Sequence, residues 1–241
     1  MQNTAKRFFV LFLIAACLIG LAVIVFPYIT GSLESNYSEY VKEEPSDERE
    51  WPVSDWDALW AINPDVVGWV RIEGTPIDYP IVQERAEAPG FYLNHALDGT
   101  WNIYGVPYVD ADCDGLFGPM SLIYGHHMID GTMFAAIANY PNQEYFDQHR
   151  EILLLTPEKN MALDAVCSRE LSASYEQVLV DFNSSAELTG NLIAEAEASS
   201  AVGRVPTNTL NVYEFVCCSY GVYNGRSVVL AVDPNVSSTK Y

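Results

Sequence analysis

The run from Phe8 to Ile29, FFVLFLIAACLIGLAVIVFPYI, carries no charged residue. At about 1.5 Å rise per residue it is long enough to cross a hydrocarbon core of roughly 30 Å as one helix. Lys6 and Arg7 precede it, and Glu34 and Glu39 follow it. The positive-inside asymmetry therefore predicts a cytoplasmic stub at residues 1–7, a single-pass anchor at 8–29 in the cell membrane, and an exported remainder. A cleaved signal peptide is the competing reading. Its apolar core is usually only about 7 to 15 residues, and no clean small-x-small site follows here.

Between residues 30 and 50, Glu34, Glu39, Glu43, Glu44, Asp47, Glu48 and Glu50 face only Lys42 and Arg49. Such a segment repels itself and buries little, so an extended extracellular tether is expected. From residue 51 to 241 there is no second linker and no internal repeat, which predicts one exported domain. The whole chain has 12 Lys and Arg against 32 Asp and Glu, a formal charge of -20. A phosphate-backbone binder needs the opposite sign, so nucleic acid is excluded as a partner.

Within the domain, Trp56, Leu59, Trp60 and Ile62 have near-helical spacing that Asn63-Pro64 ends. Short β-rich runs bounded by Gly, Pro, Asn and Asp follow at Val66–Ile72, Ile77–Val82, Tyr104–Val109, Ser121–Tyr124, Ile152–Thr156, Met161–Ser168, Gln177–Phe182, Val212–Cys218 and Ser227–Val232. Helical patches interrupt them at Gly131–Ala138, at Gln143–His149 and at Ala186–Ser199. The last has Ser184 and Glu187 at capping-box spacing. A mainly β domain with peripheral helices is expected, as a barrel or a sandwich.

Of five cysteines, Cys17 lies in the apolar run and Cys113, Cys167, Cys217 and Cys218 lie beyond it. Cys217 and Cys218 are adjacent in a strand pattern, so their side chains point to opposite faces. Cys113 and Cys167 remain, either as a disulfide that export permits or as two separate thiols. No paired zinc-ligand spacing occurs, so no metal and no cofactor is expected. A thiol with an imidazole and a guanidinium suits acyl transfer: the thiolate attacks, the imidazole carries the proton, and the guanidinium binds the developing oxyanion.

The segments Asn63-Pro-Asp-Val-Val-Gly-Trp69, Ile77-Asp-Tyr-Pro-Ile-Val-Gln83, Tyr92-Leu-Asn-His95 and Tyr124-Gly-His-His-Met-Ile-Asp-Gly-Thr-Met-Phe134 resemble the sortases of Gram-positive bacteria, most closely class B. The resemblance extends from about Trp56 to Val232. It implies a closed β-barrel with an N-terminal helix and a helix inserted before the late strands. It also implies a cysteine transpeptidase that cuts a C-terminal sorting signal after Thr and joins the acyl group to a cell-wall precursor or pilin amine. Carried over by position, the family's catalytic His falls on His126 and not on His127, whose replacement is expected to spare transfer. The Cys falls on Cys218 and the Arg on Arg226. The family's Thr-Leu-x-Thr-Cys run reads Glu214-Phe-Val-Cys-Cys218 here, so both Thr are missing and Cys217 stands where the second would be. The competing functions are a thiol hydrolase of the same fold and a membrane-tethered binding module that has lost catalysis.

Overall fold

The computed structural model describes residues 37–44, 51–173 and 179–235. The stub, the apolar run, the tether residues 30–36 and 45–50, and the expected strand residues Gln177 and Val178 lie outside the described residues. Among the described residues no helix is long and apolar enough to cross a membrane.

Helix α1, Trp56–Ile62, starts where the Asp55 carboxylate accepts the Ala58 N–H at 3.1 Å. It ends at Asn63, whose side chain is taken up by tertiary bonds. Asn63 Nδ2 donates to the Tyr92 hydroxyl and to the Leu97 carbonyl, and its Oδ1 accepts the Asp65 N–H. Asp65 in turn accepts from Tyr92 at 2.8 Å and pairs with Arg85 at 2.7 Å. This network fixes the 3₁₀ turn Phe91–Leu93, which borders the site described below.

The strands are β1 (Val41–Glu44), β2 (Trp51–Ser54), β3 (Val66–Arg71), β4 (Asp78–Gln83), β5 (Tyr108–Val109), β6 (Met120–Tyr124), β7 (Glu151–Leu155), β8 (Asn160–Ser172), β9 (Ala201–Val202), β10 (Val212–Ser219) and β11 (Gly225–Val232). Eight of them run in the order β11-β10-β6-β5-β4-β3-β7-β8, and β8 pairs back onto β11 to close a barrel, with β9 added on β8. The β4–β5 and β6–β10 pairs are parallel and the other pairs are antiparallel. Closure leaves the barrel strands without an open edge. Trp69, Ile81, Leu122, Ile123, Leu154, Phe215 and Val229 are buried within it. Helix α2, Gln143–Gln148, and helix α3, Ser185–Glu197, lie at the periphery. The Ser184 hydroxyl caps α3 at the Glu187 N–H, and Arg169 of β8 meets Glu195 of α3 at 2.6 Å.

Several expectations need correction. Residues 41–44, read as tether, form β1 and pair antiparallel with β2, while Tyr37 is buried just before them. Backbone pairing needs no apolar alternation, and one aromatic side chain supplies the burial. The strand expected over 177–182 is absent at its described residues, Leu179 to Phe182. Leu179 there is exposed and no neighbouring strand offers a ladder. The run expected from Tyr104 shrinks to Tyr108–Val109, because Gly105 (φ +62°) turns the chain against the Tyr92 carbonyl. The patch at Gly131–Ala138 gives only the 3₁₀ turn Ala135–Asn139, since Gly131 and Met133 adopt positive φ.

Candidate active site

The parallel β6–β10 ladder organises the site. Tyr124 stands beside Val216, and the Gly125 N–H still reaches the Val216 carbonyl at 3.0 Å. Two residues further along each strand stand His126 and Cys218, on the face that Tyr124 and Val216 share. On the other side of β10, Cys218 lies directly opposite Arg226 of β11.

The segment after β6 has a physical reason for each of its unusual residues. A Cβ at Gly125 would come 2.5 Å from the Phe134 ring, so that ring can pack only against a glycine. The Phe134 N–H donates to the His126 carbonyl at 2.8 Å. Asp130 accepts from the N–H and hydroxyl of Thr132 and from the Tyr104 hydroxyl. Burial opposes its charge, but the bonds from Thr132 and Tyr104 outweigh that and hold its carboxyl below the usual range. Together these contacts fold residues 126–134 into a closed loop, with His127 bridged to Met133.

The two adjacent cysteines differ sharply. Cys217 is buried on the face toward the Ala135–Asn139 turn, where Phe215, two residues earlier, meets Phe134 with ring centroids 6.3 Å apart. Burial pushes its thiol up to about 12, with the negative charge of Cys218 adding to this and the N–H groups of Ser227 and Ala138 partly offsetting it. Cys218 is half-buried and free. Arg226 Nη1 donates to the Gly225 carbonyl at 3.0 Å. Arg71, Arg85, Arg150 and Arg169 each pair with a carboxylate, whereas Arg226 has none among the described residues. In a chain of formal charge -20, a half-buried guanidinium without an acidic partner leaves its charge available to a substrate.

The His126 ring is held by Nε2 at 2.6 Å from the Leu93 carbonyl, in the turn that Asn63 and Asp65 anchor. Sequence reasoning had no means to find that carbonyl, since any residue supplies one. It also missed Tyr108, whose ring lies 5.6 Å from that of Tyr124. Burial and the charges of Glu84 and Asp110 push the Tyr108 phenol up, and Arg226 pulls against them. Among the described residues no group of three or more His, Cys, Asp or Glu side chains converges as metal ligands would.

Cys113 and Cys167 are not bridged. Cys113 accepts the Leu122 N–H at 3.3 Å, Cys167 is buried on β8, and both thiols are free. Burial raises each to about 11. At about pH 8 only Cys218 among the described cysteines is expected to alkylate in the native chain, because the thiolate is the reactive form. Denaturing alkylation without reductant should then label Cys113 and Cys167 fully. Labelling of either only after reduction would show a bridge.

No family model matches the chain. It is 30% identical over 98 residues to sortase B of Staphylococcus aureus, covering 40% of this chain and 39% of that protein. It is 34% identical over 92 residues to sortase B of Listeria monocytogenes, covering 38% and 37%. The matched segment thus spans well under half the length of these curated relatives. The fold match is wider. The X-ray structure of Clostridium perfringens sortase B superposes with a TM-score of 0.66 at 26% identity, over 74% of this chain and 98% of that one. Sortase B of S. aureus shares the fold at 23% identity, both as a substrate complex (TM-score 0.66, 73% and 82% covered) and complexed with triglycine (TM-score 0.64, 73% and 84% covered).

Proposed function

By sequence and by fold the chain belongs with the class B sortases, and from that premise we propose that it is a membrane-anchored cysteine transpeptidase. It cuts a C-terminal sorting signal after Thr and transfers the released acyl group to a cell-wall or pilin amine. The observation that carries the reading is Cys218 directly across from an Arg226 that has no carboxylate partner.

The Cys218 thiolate attacks the Thr carbonyl, and Arg226 receives the negative charge that develops on its oxygen. The C–N bond then breaks, and the leaving amine takes its proton from His126, which leaves a thioester on Cys218. An incoming amine attacks the thioester, gives its surplus proton to the imidazole and expels the thiolate. Positioned proton transfer of this kind contributes about 10²–10⁴-fold. The substrate and triglycine complexes of S. aureus sortase B support a peptide donor and an amine acceptor. The apolar run at 8–29, with Lys6 and Arg7 on its N-terminal side, supports the single-pass topology.

The test is the full-length chain with a peptide containing Asn-Pro-x-Thr, with and without triglycine, read by product mass. A ligated product that requires the amine is expected, and His126→Ala should lower turnover by about 10²–10⁴-fold. Hydrolysed peptide alone, whatever the amine, would replace transferase by hydrolase. Absence of any covalent adduct would leave only the binding module. On intact cells a membrane-impermeant thiol reagent should reach Cys218, and protection until lysis would overturn the topology.

A further inference from the structure

We propose that His127 is a positioning residue that clamps the nucleophile strand to the histidine segment, so that His126 and Cys218 stay aligned. This rests on the transpeptidase reading above, and it reverses the sequence-based expectation that His127 is dispensable.

The parallel ladder between β6 and β10 ends with the Gly125 N–H on the Val216 carbonyl. Beyond that bond the two segments have no further main-chain link, because Phe134 takes the His126 carbonyl into the loop. His127 continues the join with its side chain. Its Nδ1 lies 2.9 Å from the Cys218 carbonyl oxygen. A carbonyl can only accept, so Nδ1 carries the hydrogen and the tautomer is fixed. The return contact comes from Tyr220, whose hydroxyl donates to the His127 carbonyl at 2.9 Å while its ring lies 4.6 Å from the imidazole. One residue therefore holds the backbone at Cys218 and receives the side chain two positions later.

The consequence falls on its neighbours. Fixing the Cys218 carbonyl fixes the peptide plane from which that side chain departs. His126 is held by Leu93 at its ring and by the clamp at its C-terminal side. Displacement of either reacting group by about 1 Å costs on the order of 10²-fold in rate, so a contact that touches no substrate still governs turnover.

The experiment compares His127→Ala, His127→Asn and Tyr220→Phe in the full-length chain. The Asn amide nitrogen sits where Nδ1 does, so that variant keeps the donor and loses the ring. Turnover of the Asn-Pro-x-Thr peptide, melting temperature and ¹⁵N ring shifts of His127 are measured. His127→Ala should lower kcat about 10- to 100-fold with KM changed less than about threefold, and His127→Asn should recover to within about fivefold of wild type. Both variants should melt alike, and the wild-type ring should carry its proton on Nδ1. Tyr220→Phe, which loses only the return hydrogen bond, should fall between wild type and His127→Ala in kcat. Wild-type kcat in His127→Ala would overturn the proposal, as would His127→Asn slowed as much as His127→Ala, or a wild-type ring protonated only on Nε2. Should the wild-type chain not turn over the peptide, the transpeptidase reading fails, and the ring tautomer alone still decides whether the clamp exists.

Discussion

Cys218→Ala should abolish formation of a covalent acyl-enzyme, while Cys217→Ala should keep most of it. The difference follows from which face of β10 each side chain occupies. Cys218 is half-buried, on the face of His126 and opposite Arg226, whereas Cys217 is 2% exposed and packed under the Ala135–Asn139 turn. Burial raises the Cys217 thiol to about 12, so at neutral pH almost none of it is thiolate. Its contribution is packing. Truncation to Ala should cost about 1–2 kcal/mol of stability, in the ordinary range for a small core deletion, and little activity. Mass spectrometry after incubation with the sorting peptide checks both variants. An adduct that survives Cys218→Ala and vanishes in a folded Cys217→Ala chain would exchange the two assignments.

The departure from the Thr-Leu-x-Thr-Cys run is easier to judge in the fold. Residue 217 points away from Cys218, so a hydroxyl there would face Ser227 and Ala138 and not the nucleophile. Glu214, at the first Thr position, is buried four residues back on the Cys218 face. Neither replacement removes a group from direct contact with Cys218.

What the chain disclosed before folding depended on whether a feature has a period or a residue type. Helix α1 was readable because Trp56, Leu59 and Asn63-Pro64 supply both the spacing and the stop, and α3 because Ser184 and Glu187 cap it. The central runs β3, β4, β6, β7, β10 and β11 were readable because their apolar residues are continuous. Strand β9 has two residues, Ala201 and Val202, too few to show alternation. Strand β1 carries acidic residues and forms through its backbone. At the site, Cys218, His126 and Arg226 stood out by side-chain chemistry and by resemblance. The Leu93 carbonyl and the bond from His127 to the Cys218 carbonyl are contacts with main-chain oxygen, which no residue type announces.

Arg226→Lys should remain severely impaired. In the folded chain the guanidinium uses one arm, Nη1, to donate to the Gly225 carbonyl, and this steadies it across from Cys218. Its remaining N–H groups have no carboxylate partner among the described residues and can donate to the substrate oxygen while that arm stays engaged. A lysine ammonium keeps the charge but lacks the planar fork, so it cannot hold Gly225 and present donors at a second fixed angle together. Removing a donor to a developing oxyanion typically costs about 10²–10³-fold in kcat. Losses of that size are expected for Arg226→Ala, and Lys should recover less than about tenfold of them, with melting unchanged because the native Arg makes no ion pair to lose. The measurement is kcat/KM for the sorting peptide with triglycine present. Near wild-type values in Arg226→Lys would mean that positive charge at this position suffices and that the fork geometry contributes nothing.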